Sequence, residues 1–139
     1  LRDPAIMKAL SDDAKKVALF SDPLPADLTV IGSPVVQLYV SAKKKGAYYF
    51  VQIEERSRNG NAKLVTRGAF KDPSLSPKTA HLIEFSPFAI HHTFTAGSQI
   101  KLRIASRDYP FFLPNLDQPT IRIWRDAGHP SSLSLPVVP

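Results

Sequence analysis

The chain has 139 residues, with 18 Lys and Arg against 12 Asp and Glu for a net charge of +6, 13 prolines, six glycines and no cysteine. That length supports one domain around one core, and the missing cysteines exclude disulfides, thiolate nucleophiles and Cys-ligated zinc without separating cytoplasm from an exported location. No apolar run approaches the ~20 residues needed to span a bilayer, and mixed charges stand where a signal peptide would be apolar, so a soluble protein is expected, its compartment open with cytoplasm favoured.

Residues 1–16 carry a mild helical spacing, with Ile6, Leu10 and Ala14 on one face and Ser11, Asp12 and Asp13 interrupting it; a short helical or irregular connector is expected there. The chain opens at Leu1 without a methionine, which points to a piece of a longer polypeptide. From Val17 to Pro139 the period is two and the punctuation is proline, glycine, asparagine and aspartate, so 17–139 reads as one β domain. Val36, Leu38 and Val40 alternate with Gln37 and Tyr39 as a half-buried strand. A second strand over 48–55 sets Tyr49, Val51 and Ile53 on one face and Phe50, Gln52 and Glu54 on the other. Lys43, Lys44 and Lys45 between them read as a solvated hairpin tip rather than a phosphate site. Arg58-Asn59-Gly60-Asn61 is a strong hairpin signal, with the return strand over 62–67 extending to Phe70.

After a turn at 72–78, His81, Ile83 and Phe85 alternate with Leu82 and Glu84; Thr95-Ala96-Gly97-Ser98 then turns into a strand over 99–106, with Ile100, Leu102 and Ile104 opposite Lys101, Arg103 and Ala105. Residues 107–120 hold prolines at 110, 114 and 119 and cannot form a central strand; they read as a rigid loop carrying Tyr109, Phe111 and Phe112. Strands at 121–125 and 133–138 complete about eight short strands without helical alternation or repeat, the pattern of an all-β antiparallel sandwich or jelly roll.

Chemistry is sparse. The remaining basic residues are scattered along strands, which argues against nucleic acid as a partner. The nucleophile turn G-x-S-x-G is absent, and Gly32-Ser33 and Gly97-Ser98 both sit in turns. With 13 serines, four histidines and 12 acids a Ser-His-acid set can be combined on paper by chance, so no catalytic residue is assigned. His91 and His92 are neighbours on a strand and diverge, which makes them poor co-ligands; His81, on an apolar face, reads as a core-edge histidine with a backbone partner. Asp108, Asn115 and Asp117 lack the spacing of a calcium loop, so neither metal nor cofactor is assigned. Trp124, on the face opposite Ile121 and Ile123, joins Tyr109, Phe111 and Phe112 as a candidate interface, against the alternative that these rings cap the open end of the sandwich.

Three segments occur in a telling order: SDPLPADLTVIGSPVVQLYVS at 21–41, TFTAGSQIKLRIASRDYP at 93–110 and GHPSSLSLPVVP at 128–139. Together they resemble the C-terminal, non-catalytic domain of X-prolyl dipeptidyl-peptidases, cocaine esterases and α-amino-acid ester hydrolases, over a stretch from about Asp12 to Pro139. The resemblance implies a jelly roll of the galactose-binding-like type, attached to a catalytic α/β-hydrolase domain of the same polypeptide whose nucleophile, aspartate and histidine have no counterpart here. It also implies that His129 braces the closing turn, and that the domain stabilises the hydrolase and borders its substrate entrance, with Tyr109, Phe111, Phe112 and Trp124 used for docking. The chain departs from the pattern at Ser98, where a histidine is common, and at 43–46, where acidic residues are common. The competing reading is a carbohydrate-binding module with Tyr109, Phe112 and Trp124 as its platform. A homo-oligomer formed through an edge strand stays open.

Overall fold

A computed structural model describes residues 8–13, 16–42, 46, 48–76, 78–105, 121–124, 127–128 and 130–138. Among these, all extended regular structure is strand: β1 (Lys8–Asp13), β2 (Lys16–Phe20), β3 (Leu28–Gly32), β4 (Val35–Ala42), β5 (Tyr48–Arg56), β6 (Ala62–Lys71), β7 (His81–Phe85), β8 (Ile90–Phe94), β9 (Gln99–Ala105), β10 (Ile121–Trp124) and β11 (Ser132–Ser134). One sheet has the order β1-β2-β9-β5-β6; a second has β10-β4-β11 with β7 also on β4; β3 and β8 form a small third pair. Every one of these pairings is antiparallel. Among the described residues no helix is long and apolar enough to cross a membrane.

The alternation read from the sequence produces the two layers. β4 turns Val36, Leu38 and Val40 inward, and β5 and β9 meet them with Val51, Ile53 and Leu102, all six at most 2% exposed and in one cluster. Side chains from two sheets interdigitating in one core define a β-sandwich, and each such Val, Leu or Ile contributes about 1.5–3 kcal/mol by leaving water.

The connector expected over 1–16 is not helical where it is described, since Lys8–Asp13 pairs antiparallel with β2. Without β1, β2 would be held by β9 on one side only, and an edge strand's unpaired N–H and C=O groups reward any extended segment that reaches them. That gain outweighs a helical spacing carried by three residues. The lysine run at 43–45 lies outside the described residues; the strands on either side of it, β4 and β5, belong to different sheets. The strand expected over 133–138 divides: β11 pairs with β4, and past Pro136 the tail crosses to the small sheet, where Val137 bridges Val30 and the Val138 amide donates to the Thr29 carbonyl at 2.9 Å.

The Asn-Gly signal does mark the β5–β6 hairpin, through a loop over 57–61. Only Gly60 there has positive φ, at 88°, so the turn is not the two-residue type with both central residues left-handed. Asn59 Oδ1 instead accepts the Asn61 amide at 3.0 Å, and the Ser57 amide closes the loop on the Asn61 carbonyl at 2.8 Å. A bulge between Ile53 and Glu54 shifts the register by one residue of β6.

The outer face of the five-stranded sheet holds part of the basic charge in place. Arg56 and Lys101 lie over the Phe20 ring, 5.1 and 5.3 Å from its centroid, and Lys71 lies 5.8 Å over Tyr48. Glu54, 8% exposed, has Lys101 at 3.8 Å and Arg103 at 3.9 Å. Long cationic side chains thus cover rings with their stems and are held by ring faces and one carboxylate.

Candidate functional site

Among the described residues, chemistry-bearing side chains meet in two places. The first is at the end of β5, where Glu55 continues the inward face of Tyr49, Val51 and Ile53 and reaches β8 and the 95–98 turn. Its Oε1 accepts from His92 Nε2 at 2.8 Å, and its Oε2 accepts from the Thr95 amide at 2.8 Å, the Thr95 hydroxyl at 2.9 Å and the Ser98 hydroxyl at 2.8 Å. Burial pushes the Glu55 carboxyl up, but the Thr95 amide, His92, Ser98 and the Thr95 hydroxyl outweigh it and hold the pKa at about 2.

A serine, a histidine and an acid are therefore together, but in an order that cannot make a nucleophile. In a triad the imidazole stands between hydroxyl and carboxylate and takes the hydroxyl's proton. Here the carboxylate is the middle member, bound to both Ser98 and His92. Ser98 is 1% exposed, and its single hydrogen is contested by Glu55 and the Thr95 carbonyl, 2.6 Å away. The His92 and Phe94 rings meet nearly perpendicular, with centroids 4.7 Å apart. The cluster ties a turn to a strand. His91 is exposed and points away from His92, as alternation requires.

The second place is the side of the sandwich where β6 ends and β7 begins. His81 has the backbone partner expected of it, the Thr79 carbonyl 2.7 Å from Nδ1, and also an unexpected one, Asp72 Oδ2 at 2.5 Å from Nε2. Burial lowers the His81 pKa, while the Thr79 carbonyl and Asp72 together raise it above its ordinary 6.5. Neither Glu55 nor Asp72 was singled out by sequence. Glu55 had a signal, since an acid in phase with three core residues requires buried partners; Asp72, in a turn, had none. Among the described residues no group of three His, Asp or Glu is placed to hold a metal ion.

Of the candidate interface residues, Trp124 is described. It stands opposite Tyr39 in the β10–β4 register while Ile123 packs against the core, and Leu82 stands on Tyr39's other side. The row Leu82–Tyr39–Trp124 crosses the outer face of the four-stranded sheet, with Leu82 48% exposed. Trp124 Nε1 donates to Ser41 Oγ at 3.2 Å, and Ser131 Oγ donates to the Trp124 carbonyl at 2.6 Å. Tyr109, Phe111, Phe112 and His129 lie outside the described residues, as do Asp108, Asn115 and Asp117.

Residues 3–134 match the family described as the X-Pro dipeptidyl-peptidase C-terminal non-catalytic domain. A protein named "Putative serine esterase" from Mycobacterium bovis is 26% identical over 156 residues, an alignment covering 92% of this chain and 25% of that protein; its namesake in Mycobacterium tuberculosis aligns equally well. The chain thus spans 25% of the length of the curated relatives it matches. Among solved structures, an aminopeptidase from a marine sediment archaeon, Thaumarchaeota archaeon, superposes with a TM-score of 0.78 at 20% identity, covering 93% of this chain and 27% of that one. An α-amino acid ester hydrolase gives 0.77 at 18%, covering 89% and 26%, and a CocE/NonD family hydrolase from Staphylococcus aureus gives 0.73 at 15%, covering 88% and 30%. These three show a shared fold.

Proposed function

Because the chain belongs to the family of X-Pro dipeptidyl-peptidase C-terminal non-catalytic domains, we propose that it works as the accessory domain of an ester- or X-Pro-cleaving serine hydrolase, stabilising a catalytic α/β-hydrolase domain of the same polypeptide and bordering its substrate entrance. The observation that carries this reading is the order Ser98–Glu55–His92, in which the carboxylate occupies the place a general base would need. The domain's polar cluster serves its own turn, and the reacting groups come from elsewhere. In this reading the sandwich is a jelly roll of the galactose-binding-like type spanning 17–139.

Docking is assigned to Trp124 together with Tyr109, Phe111 and Phe112; the support is the position of Trp124 in an apolar row on an outer sheet face. Aromatic residues at the centre of an interface carry a large share of its energy. The test is made in a full-length hydrolase carrying this domain. Trp124→Ala should lower the temperature at which the catalytic domain unfolds and raise KM more than it changes kcat, while the isolated 139-residue chain keeps its own stability within about 1 kcal/mol. An unchanged full-length enzyme would remove Trp124 from the interface. Saturable binding of a glycan by the isolated chain, lost in the same variant, would replace this reading by a carbohydrate-binding module.

A further inference from the structure

We propose that His81 and Asp72 form a proton-operated clamp between the two sheets, closed while the imidazole carries both its hydrogens and opened when one is lost. His81 begins β7 in the four-stranded sheet, and Asp72 follows the last residue of β6 at the edge of the five-stranded one. Their contact therefore joins the layers directly.

The requirement for both hydrogens follows from what the ring faces. Nδ1 is 2.7 Å from the Thr79 carbonyl and Nε2 is 2.5 Å from an Asp72 oxygen, and both are acceptors. A neutral imidazole has one N–H, so either tautomer would turn a lone pair toward a lone pair at one of these contacts. The other Asp72 oxygen accepts the Ser74 amide at 3.0 Å, which favours the carboxylate and leaves the bridging hydrogen on the imidazole. Asp72 is 4% exposed, so water is poorly placed to replace a lost partner.

The groups around the pair leave it as the local switch. From β5, Tyr49 is fully buried with its hydroxyl unpartnered among the described residues; burial and the Asp72 charge both push its pKa up, so it stays neutral. On β4, Val40 is opposite His81. On β7 itself, Glu84 has the opposite parity and pairs with Gln37 on the outer face. In the preceding turn Lys78 is exposed, and Lys71 lies over Tyr48. Further ties join β6 to β7 and to the segment that follows it: the Phe70 and Phe85 rings stack with centroids 5.2 Å apart, the Phe88 amide donates to the Arg67 carbonyl at 3.2 Å, and the Thr66 hydroxyl donates to the Phe88 carbonyl at 2.8 Å. Opening the clamp would loosen the start of β7 while these ties hold its far end against β6.

The sign follows from the raised pKa of His81. The clamp's contribution is complete below the unfolded histidine's ordinary 6.5 and is lost as the pH rises through the higher folded value. A domain built this way is tighter on the acid side of neutrality and looser on the alkaline side.

The test uses the 139-residue chain, with ¹⁵N spectra of the four histidine rings and amide hydrogen exchange followed from about pH 5 to about pH 9. His81 should keep two protonated ring nitrogens at a pH above the ordinary histidine value of 6.5. Exchange of the β7 amides, corrected for its intrinsic pH dependence, should accelerate about tenfold or more as His81 titrates, while β11 amides follow the rest of the molecule. Asp72→Asn should bring the His81 midpoint below that of the wild type and abolish the β7 acceleration. A His81 midpoint at or below the ordinary 6.5, or β7 exchange indifferent to the His81 titration, would overturn the clamp. If Asp72→Asn does not fold, those two wild-type readouts decide it.

Discussion

Replacing Glu55 by glutamine removes one charge and one acceptor from a site that offers only donors. One carboxylate oxygen takes three hydrogen bonds, from the Thr95 amide, the Thr95 hydroxyl and Ser98, and the other takes His92. A glutamine amide nitrogen in place of Oε2 would confront the Thr95 amide, and in place of Oε1 it would require His92 Nε2 to give up its hydrogen and accept. The magnitude comes from proton affinity: the carboxyl falls from 4.5 to about 2, and at about 1.4 kcal/mol per tenfold change this is about 3 kcal/mol of folded-state preference for the charged form. A domain of this size has about 5–15 kcal/mol in total. Because the folded pKa is depressed, the contribution is complete above the unfolded value near 4.5 and lost as the pH falls toward about 2. Urea unfolding should therefore show Glu55→Gln less stable by about 3 kcal/mol at neutral pH, and the wild type's loss of stability on acidification through this window should be flatter in the variant. A variant within about 1 kcal/mol of the wild type, with the acid dependence retained, would refute the reasoning.

Two glycines separate crowding from backbone strain. A Cβ on Gly68 would lie 2.8 Å from the Pro87 Cα, a backbone atom that cannot swing away, so Gly68→Ala should cost about 2 kcal/mol or more by urea unfolding. Gly60 has open space but φ of +88°, and Gly60→Ala should cost only about 1 kcal/mol; the reverse ranking would contradict the packing of Pro87 on β6. Leu38→Ala, at a position 1% exposed in the shared core, should cost about 2–5 kcal/mol with no new intermediate in the unfolding curve; a loss under about 1 kcal/mol would mean that the layers do not share one core.

The sequence made individual strands legible and left their assembly to three dimensions. β5 and β9 alternate cleanly because one face is core and the other carries polar or cationic groups, and the Asn-Gly pair marks a hairpin because glycine relieves a left-handed turn position. Nothing local distinguishes a hairpin from a passage between sheets, so β4 and β5 read as neighbours although they face each other across the core. β1 is hidden for a related reason: its extended form is stabilised by the open edge of β2, a partner no spacing reveals. The two histidine–carboxylate contacts span 37 residues for His92–Glu55 and nine for His81–Asp72, so each depends on how strands were brought together. The resemblance carried in 21–41, 93–110 and 128–139 pointed to the family that the match over 3–134 establishes.

The central claim is that this domain serves a hydrolase without doing the hydrolysis. The most direct measurement is turnover of a chromogenic ester and an X-Pro amide by the isolated 139-residue chain, beside a full-length hydrolase carrying the same domain. The account predicts turnover by the full-length enzyme and none by the chain above the buffer rate. Turnover by the chain, lost in Ser98→Ala, would contradict it, because it would require the Ser98–Glu55–His92 cluster to rearrange into a working nucleophile.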